Sequence, residues 1–294
     1  MKVLMFIDSF VLGGAQKQFF NLALALNQLG DDIDICTYYP LQGAIPEQYK
    51  SCFDITCFDK SYKYDLSPIF QLRRKIKNIK PDVVVAFLAT PSVYAELSRL
   101  TGHSTPVIVS ERNGPGEHTG IFKERLLSIL HSLARGVVFN NRGHRNDLIF
   151  KFPALKTKSH VIYNGVDNHY FNNKKHIAKN KTNNLNMFQK SAPFRFCVVS
   201  ARPIERKGLF ELIEAISILK KSCNKHFQVD WIGACDSADF NVKKANYELN
   251  RNDLESYWCW KGVNNELYKV YKKYDALLVP VSYTHLTLPT NREV

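Results

Sequence analysis

No run in this 294-residue chain approaches the ~18 consecutive apolar residues that a membrane-spanning helix requires. The apolar start, Met1 to Ile7, is cut at Asp8; it is too short for a secretory leader and reads as a buried first strand. The seven cysteines (Cys36, Cys52, Cys57, Cys197, Cys223, Cys235 and Cys259) include no C-x-x-C pair, and no Cys/His cluster has zinc spacing. That argues against a disulfide scaffold or a zinc ribbon and for reduced thiols in a cytoplasmic protein. The basic and aromatic residues are not interleaved as in RNA readers, which speaks against a nucleic-acid partner. Acidic residues are comparatively scarce: 27 Asp and Glu face 40 Lys and Arg, a net charge of +13.

What is present is ordinary globular composition, with 45% hydrophobic and 23% charged residues. The basic excess invites an anionic partner, whether nucleic acid, membrane surface or phosphorylated substrate. It is concentrated: residues 131–190 hold eleven basic and two acidic groups. Part of that stretch, residues 172–190, is polar, basic and without periodicity, as expected of a linker.

Short β-branched runs alternate with amphipathic stretches. Strands are expected at residues 2–7, 32–37, 55–58, 83–87, 106–109, 137–139 and 160–163. Helices are expected at 16–29, 67–79, 92–100, 122–134 and 142–150. The helix at 16–29 would bury Phe19, Phe20, Leu22, Ala23, Leu26 and Leu29. That at 67–79 would turn Ile69, Phe70, Leu72, Ile76 and Ile79 inward, with Arg73, Arg74, Lys75, Lys77 and Lys80 outward. The pattern then restarts, with strands at 196–200, 228–232, 257–260 and 276–279 and helices at 209–220 and 266–271. The fold class is therefore α/β, with two doubly wound domains in tandem. Residues 1–170 form the first, 171–193 a basic linker, and 194–280 part of the second.

Three loops carry chemistry. After the first strand, Gly13 and Gly14 open a helix, where backbone N–H groups can approach an anion; the loop is neither a dinucleotide nor a P-loop fingerprint. After the strand at 196–200 comes Ala201-Arg202-Pro203-Ile204-Glu205-Arg206-Lys207-Gly208. Its cations lie at a strand's C-terminal end, where open α/β sheets bind ligands, and they suit a diphosphate. At the end of the first domain, Tyr163-Asn164-Gly165-Val166-Asp167 reads as a turn.

In combination these segments resemble glycosyltransferase family 4. The resemblance runs from Met1 to about Pro280 and implies the GT-B fold, in which two Rossmann-like domains face across a cleft. It implies retaining transfer of a hexosyl or N-acetylhexosaminyl group from a nucleotide-diphosphate-sugar, with no cofactor and no metal. By position, Arg202 and Lys207 would hold the donor diphosphate, Gly13 and Gly14 would approach the same phosphates or the acceptor, and the backbone of Gly262 and Val263 would meet the nucleotide base. Ser110-Glu111-Arg112-Asn113 resembles a loop of members that build surface polysaccharides, so Glu111, Arg112 and Asn113 would bind acceptor or donor. The basic helix at 73–80 would suit the cytoplasmic face of a membrane carrying a glycolipid or polyprenyl-linked acceptor.

The sequence departs from the family in two places. The stretch Phe87-Leu88-Ala89-Thr90 lacks the histidine that many members place near the reacting sugar, so no general base is assigned; His118 lies in the next loop. After Pro280 the family's E-x7-E motif is absent, and residues 281–294 (VSYTHLTLPTNREV) resemble a translated sequencing adapter. The expectation is a truncated second domain and a chain of little transferase activity. The alternative reading is a non-catalytic GT-B-like module that binds phosphorylated ligands or nucleic acid.

Overall fold

The computed structural model describes residues 1–10, 13–39, 51–112, 121–166, 193–222, 226–264 and 266–281. The chain divides into two compact units, with described residues up to Gly165 in the first and from Val166 in the second. The linker expected at 171–193 and the tail expected at 281–294 lie outside the described residues, apart from their end residues 193 and 281.

The first unit is a seven-stranded, wholly parallel sheet in the order β3-β2-β1-β4-β5-β6-β7. Its strands are β1 (Lys2–Phe6), β2 (Asp32–Thr37), β3 (Asp54–Cys57), β4 (Val83–Phe87), β5 (Val107–Glu111), β6 (Gly136–Phe139) and β7 (Ser159–Val161). Helices α1 (Gly14–Gln28), α2 (Ser67–Ile79), α3 (Ala89–Ser98), α4 (Ile121–His131) and α5 (Arg142–Lys151) fill the crossovers. β1 shows why the apolar runs are continuous: Leu4 and Phe6 enter one core while Val3, Met5 and Ile7 enter another on the opposite face. The direction of strand succession reverses between β1 and β4, so a crevice opens at their C-terminal ends.

Several expected faces need correction. α1 stops at Gln28, so Leu29 is its exposed C-cap rather than a core residue. Phe70 points to solvent from α2. Lys75, expected outward, lies back over the sheet: its Nζ is 2.8 Å from Asp34 Oδ1 and 3.2 Å from Asp54 Oδ2. Two carboxylates projecting from adjacent strands draw the lysine inward and remove it from the basic face. The helix after β4 begins at Ala89, earlier than expected, and ends in a 3-10 turn at Arg99–Thr101.

The second unit carries a four-stranded parallel sheet in the order β10-β9-β8-β11. The strands are β8 (Phe194–Val199), β9 (Phe227–Ile232), β10 (Trp258–Gly262) and β11 (Ala276–Leu278). Helices α6 (Leu209–Ser222), α7 (Phe240–Arg251) and α8 (Leu267–Tyr271) accompany them. α7 is an element the periodicity reading missed. Asp239 caps it, accepting from the backbone N–H groups of Asn241 and Val242, and Val242, Ala245 and Leu249 bury its inner stripe. Both α6 and α7 pack on Trp231 and its neighbours. The order reverses again, between β8 and β11.

Candidate functional site

In the first unit the site is built at the C-terminal ends of β1, β4 and β5. Ser110 and Arg112 lie on one side of β5 and Glu111 on the other, as strand alternation requires. Arg112 Nε donates to Ser110 Oγ at 2.8 Å, and Nη1 donates to Asn164 Oδ1 at 2.5 Å. Its guanidinium carbon stands 4.5 Å from the Phe87 ring centroid, over the end of β4. Burial pulls the Arg112 pKa down to about 10, which still leaves it charged at neutral pH.

Glu111 points under the strand into a buried group. His131, at the end of α4, has Nδ1 2.7 Å from Glu96 Oε1 and Nε2 3.6 Å from Glu111 Oε1. Glu96 of α3 is fully buried and His131 is 2% exposed. Burial opposes charge on His131, but the Glu96 hydrogen bond and the two carboxylates outweigh it and raise its pKa. Burial likewise raises the Glu96 carboxyl, which His131 offsets in part. This group anchors one side of β5 while Arg112 presents the other.

Gly13 is the extended N-cap of α1, with no side-chain cap, and no atom would obstruct a Cβ at Gly14. The adjacent Asp8 carboxylate accepts from Ser9 N at 2.6 Å, and burial raises its pKa. One turn into α1, Gln18 exchanges two hydrogen bonds with Gly165: Nε2 donates to its carbonyl at 2.8 Å and Oε1 accepts from its N–H at 3.0 Å. Gln18 thus ties α1 to the 164–165 turn, and Asn164 ties that turn to Arg112. Leu88, just past β4, has φ 76° and ψ 159°, a conformation almost confined to glycine. The strained residue borders the same crevice. Asn113 and His118 lie outside the described residues.

In the second unit the loops after all four strands meet. Ser200 Oγ donates to the Arg202 carbonyl at 2.8 Å, and Ala234 N to the Ala201 carbonyl at 3.2 Å. Gly233 N donates to the Gly262 carbonyl at 2.9 Å. Gly208 has φ 70°, and a Cβ there would run into the Pro280 backbone; one at Gly233 would strike the Ser200 carbonyl. Between these contacts Arg202 is exposed, and Lys207 closes a short 3-10 turn at Glu205–Lys207. Gly262 ends β10 with φ 70°, and Val263 beyond it is exposed. Arg202, Lys207, Gly262 and Val263 therefore all stand at the C-terminal edge of this sheet.

Residues 12–170, more than half of the chain, match the family model described as Glycosyltransferase Family 4. The chain belongs to glycosyltransferase family 4.

A Campylobacter jejuni relative is 25% identical over 108 residues, which cover 34% of this chain and 30% of that protein. It is the N-acetylgalactosamine-N,N'-diacetylbacillosaminyl-diphospho-undecaprenol 4-alpha-N-acetylgalactosaminyltransferase. Among solved structures, Anabaena HepE in complex with UDP superposes with a TM-score of 0.74 at 18% identity, covering 96% of this chain and 74% of that one. A glycosyltransferase from Rickettsia africae gives 0.71 at 18% identity, covering 95% and 73%. The fold is accordingly GT-B, built of Rossmann-like α/β units.

Sequence reasoning about this family 4 chain missed Gln18, Phe87 and the Glu96–His131 pair. Glu96 did leave a signal, as a lone carboxylate between Ala95 and Leu97 on the helix expected at 92–100. Also unforeseen was Asp230 in β9, a fully buried carboxylate held by Arg195 Nη2 at 3.0 Å, Tyr274 Oη at 2.8 Å and Lys261 Nζ at 3.7 Å. Among the described residues no group of three or more His, Cys, Asp or Glu is arranged to hold a metal ion.

Proposed function

We propose that this family 4 protein transfers a hexosyl or N-acetylhexosaminyl group, with retention, from a nucleotide-diphosphate-sugar to a polyprenyl- or glycolipid-linked acceptor. The observation that carries the reading is the position of Arg202 and Lys207 at the strand-order reversal of the second parallel sheet. A diphosphate seated there gains both charges as the sugar leaves, so the developing negative charge on the leaving phosphate is stabilised electrostatically. The Gly262–Val263 backbone, stitched to the same loops through Gly233, would meet the base. The bare N-terminus of α1 at Gly13 and Gly14 offers N–H groups to a phosphate. In this assignment the second unit holds the donor and the first the acceptor.

The acceptor class is supported by the diphospho-undecaprenol in the Campylobacter relative's name and by the surface of α2. Arg73, Arg74 and Lys77 are exposed there beside Phe70, Leu66, Tyr64 and Tyr62. Basic groups flanked by aromatic and aliphatic side chains suit the interface of an anionic membrane. No described helix is long and apolar enough to cross a membrane. The protein would work at the cytoplasmic membrane face in surface polysaccharide or glycolipid synthesis.

The test is incubation with a panel of UDP- and GDP-sugars and a short-prenyl diphosphate-linked saccharide, followed by mass spectrometry for the added mass and proton NMR for the anomeric configuration. The expected result is one added sugar in the α or β configuration of the donor, with release of the nucleoside diphosphate. Binding of nucleotides with no transfer would instead support a non-catalytic module.

A further inference from the structure

We propose that Arg112 is a receptor for a phosphoryl group of the acceptor, a guanidinium aimed by neutral partners into the crevice beside the β1–β4 reversal. The proposal rests on the acceptor reading above and adds the residue and the chemistry that recognise it.

Arginine has five N–H donors in a rigid fork. Here one from Nε is used by Ser110 and one from Nη1 by Asn164, and no carboxylate among the described residues pairs with the group. The group stands over the Phe87 ring, 4.5 Å from its centroid. Three donors remain, one on Nη1 and two on Nη2, a set that can grip two phosphoryl oxygens side by side. A part-buried cation without a counter-ion is costly; the lowered pKa reports that cost. An incoming phosphoryl group removes it.

The surroundings fix the fork rather than neutralise it. Phe87 and Ser110 come from adjacent strands, paired in register. Asn164 is held through the Gln18–Gly165 double hydrogen bond. Glu111, the only carboxylate next to Arg112 in sequence, is turned away to His131 and Glu96. Strand alternation thus keeps the negative charge on the core side of β5 and the positive charge on the crevice side.

A diphosphate could reach this fork from the acceptor or from the donor, and titration calorimetry on the 294-residue chain separates them. The probes are farnesyl diphosphate, inorganic pyrophosphate and UDP, each against wild type, Arg112→Gln and Arg202→Gln. The expected result is a loss of about tenfold or more in farnesyl diphosphate affinity for Arg112→Gln, with UDP unchanged within about twofold. Pyrophosphate should follow farnesyl diphosphate, and Arg202→Gln should show the reverse pattern. Arg112→Lys, which keeps charge and bulk but loses the fork, should fall between wild type and the glutamine variant; it decides the matter if the latter melts early. The receptor is overturned if wild type does not bind farnesyl diphosphate, if the Arg112 variants bind it as wild type does, or if their loss is confined to UDP. Absence of UDP binding to wild type, with farnesyl diphosphate still lost in Arg112→Gln, overturns the donor assignment of the second unit and leaves the receptor standing.

Discussion

Replacing Glu96 by alanine should cost the first unit roughly 3–5 kcal/mol, the usual penalty for breaking a buried ion pair from one side. The pair has no solvent to fall back on: Glu96 is fully buried, His131 is 2% exposed, and their contact is 2.7 Å. Glu96→Gln keeps an acceptor for His131 and removes only the charge. It should cost about 1–2 kcal/mol, the gap between a charge-assisted and a neutral hydrogen bond. The assay is urea unfolding followed by two probes. All three tryptophans (Trp231, Trp258 and Trp260) lie in the second unit. Their fluorescence should report that unit while far-ultraviolet dichroism also senses the first. Both Glu96 variants should shift the dichroism transition and leave the fluorescence transition in place. The pH dependence gives a second signature. His131 is raised above its unfolded value of 6.5, and Glu96 above 4.5. The folded state therefore holds protons that the unfolded state releases, and the contribution falls as pH rises. The His131 part is complete below about pH 6.5 and is lost as pH climbs through its folded value. In Glu96→Gln that decline should flatten. A loss below about 1 kcal/mol in Glu96→Ala, or an unchanged pH slope in Glu96→Gln, would mean that Glu96 and His131 do not form a stabilising charged pair.

Other outcomes follow from the same geometry. Asp230→Ala should destabilise the second unit by about 3 kcal/mol, read by tryptophan fluorescence; the low end of the buried-pair range applies because the Arg195 and Lys261 side chains are 37% and 41% exposed. Gly208→Ala should cost about 1–2 kcal/mol for the left-handed backbone alone and more for the collision with Pro280; UDP affinity should fall with it, measured by calorimetry. Lys75→Gln should lower first-unit stability by roughly 1–3 kcal/mol by leaving Asp34 without its closest cation, yet leave vesicle binding unchanged. Charge reversal of Arg73, Arg74 and Lys77 should do the opposite in flotation with anionic liposomes, and equal flotation of both variants would count against the α2 surface.

The alternation of strands and helices was readable because parallel strands covered on both faces must be apolar throughout, as β1 and β4 are. The glycine and arginine loops were readable because their chemistry is local. What escaped was non-local. Arg112 meets Asn164 across 52 residues and Gln18 meets Gly165 across 147, and no periodicity links them. Lys75 looks like one more solvated cation on α2 until β2 and β3 bring Asp34 and Asp54 beneath it. α7 was hidden for another reason: its inner stripe is only Val242, Ala245 and Leu249, set among polar residues, so its amphipathic signal is thin.

The most direct measurement uses the tryptophan placement. Trp260 lies in β10, two residues before Gly262, so a base bound at Gly262–Val263 should perturb its emission. Titrating UDP should give a saturable fluorescence change, uridine a weaker one, and Arg202→Gln at least about a tenfold loss of UDP affinity. No change with UDP, or equal UDP affinity in wild type and Arg202→Gln, would contradict the donor assignment of the second unit.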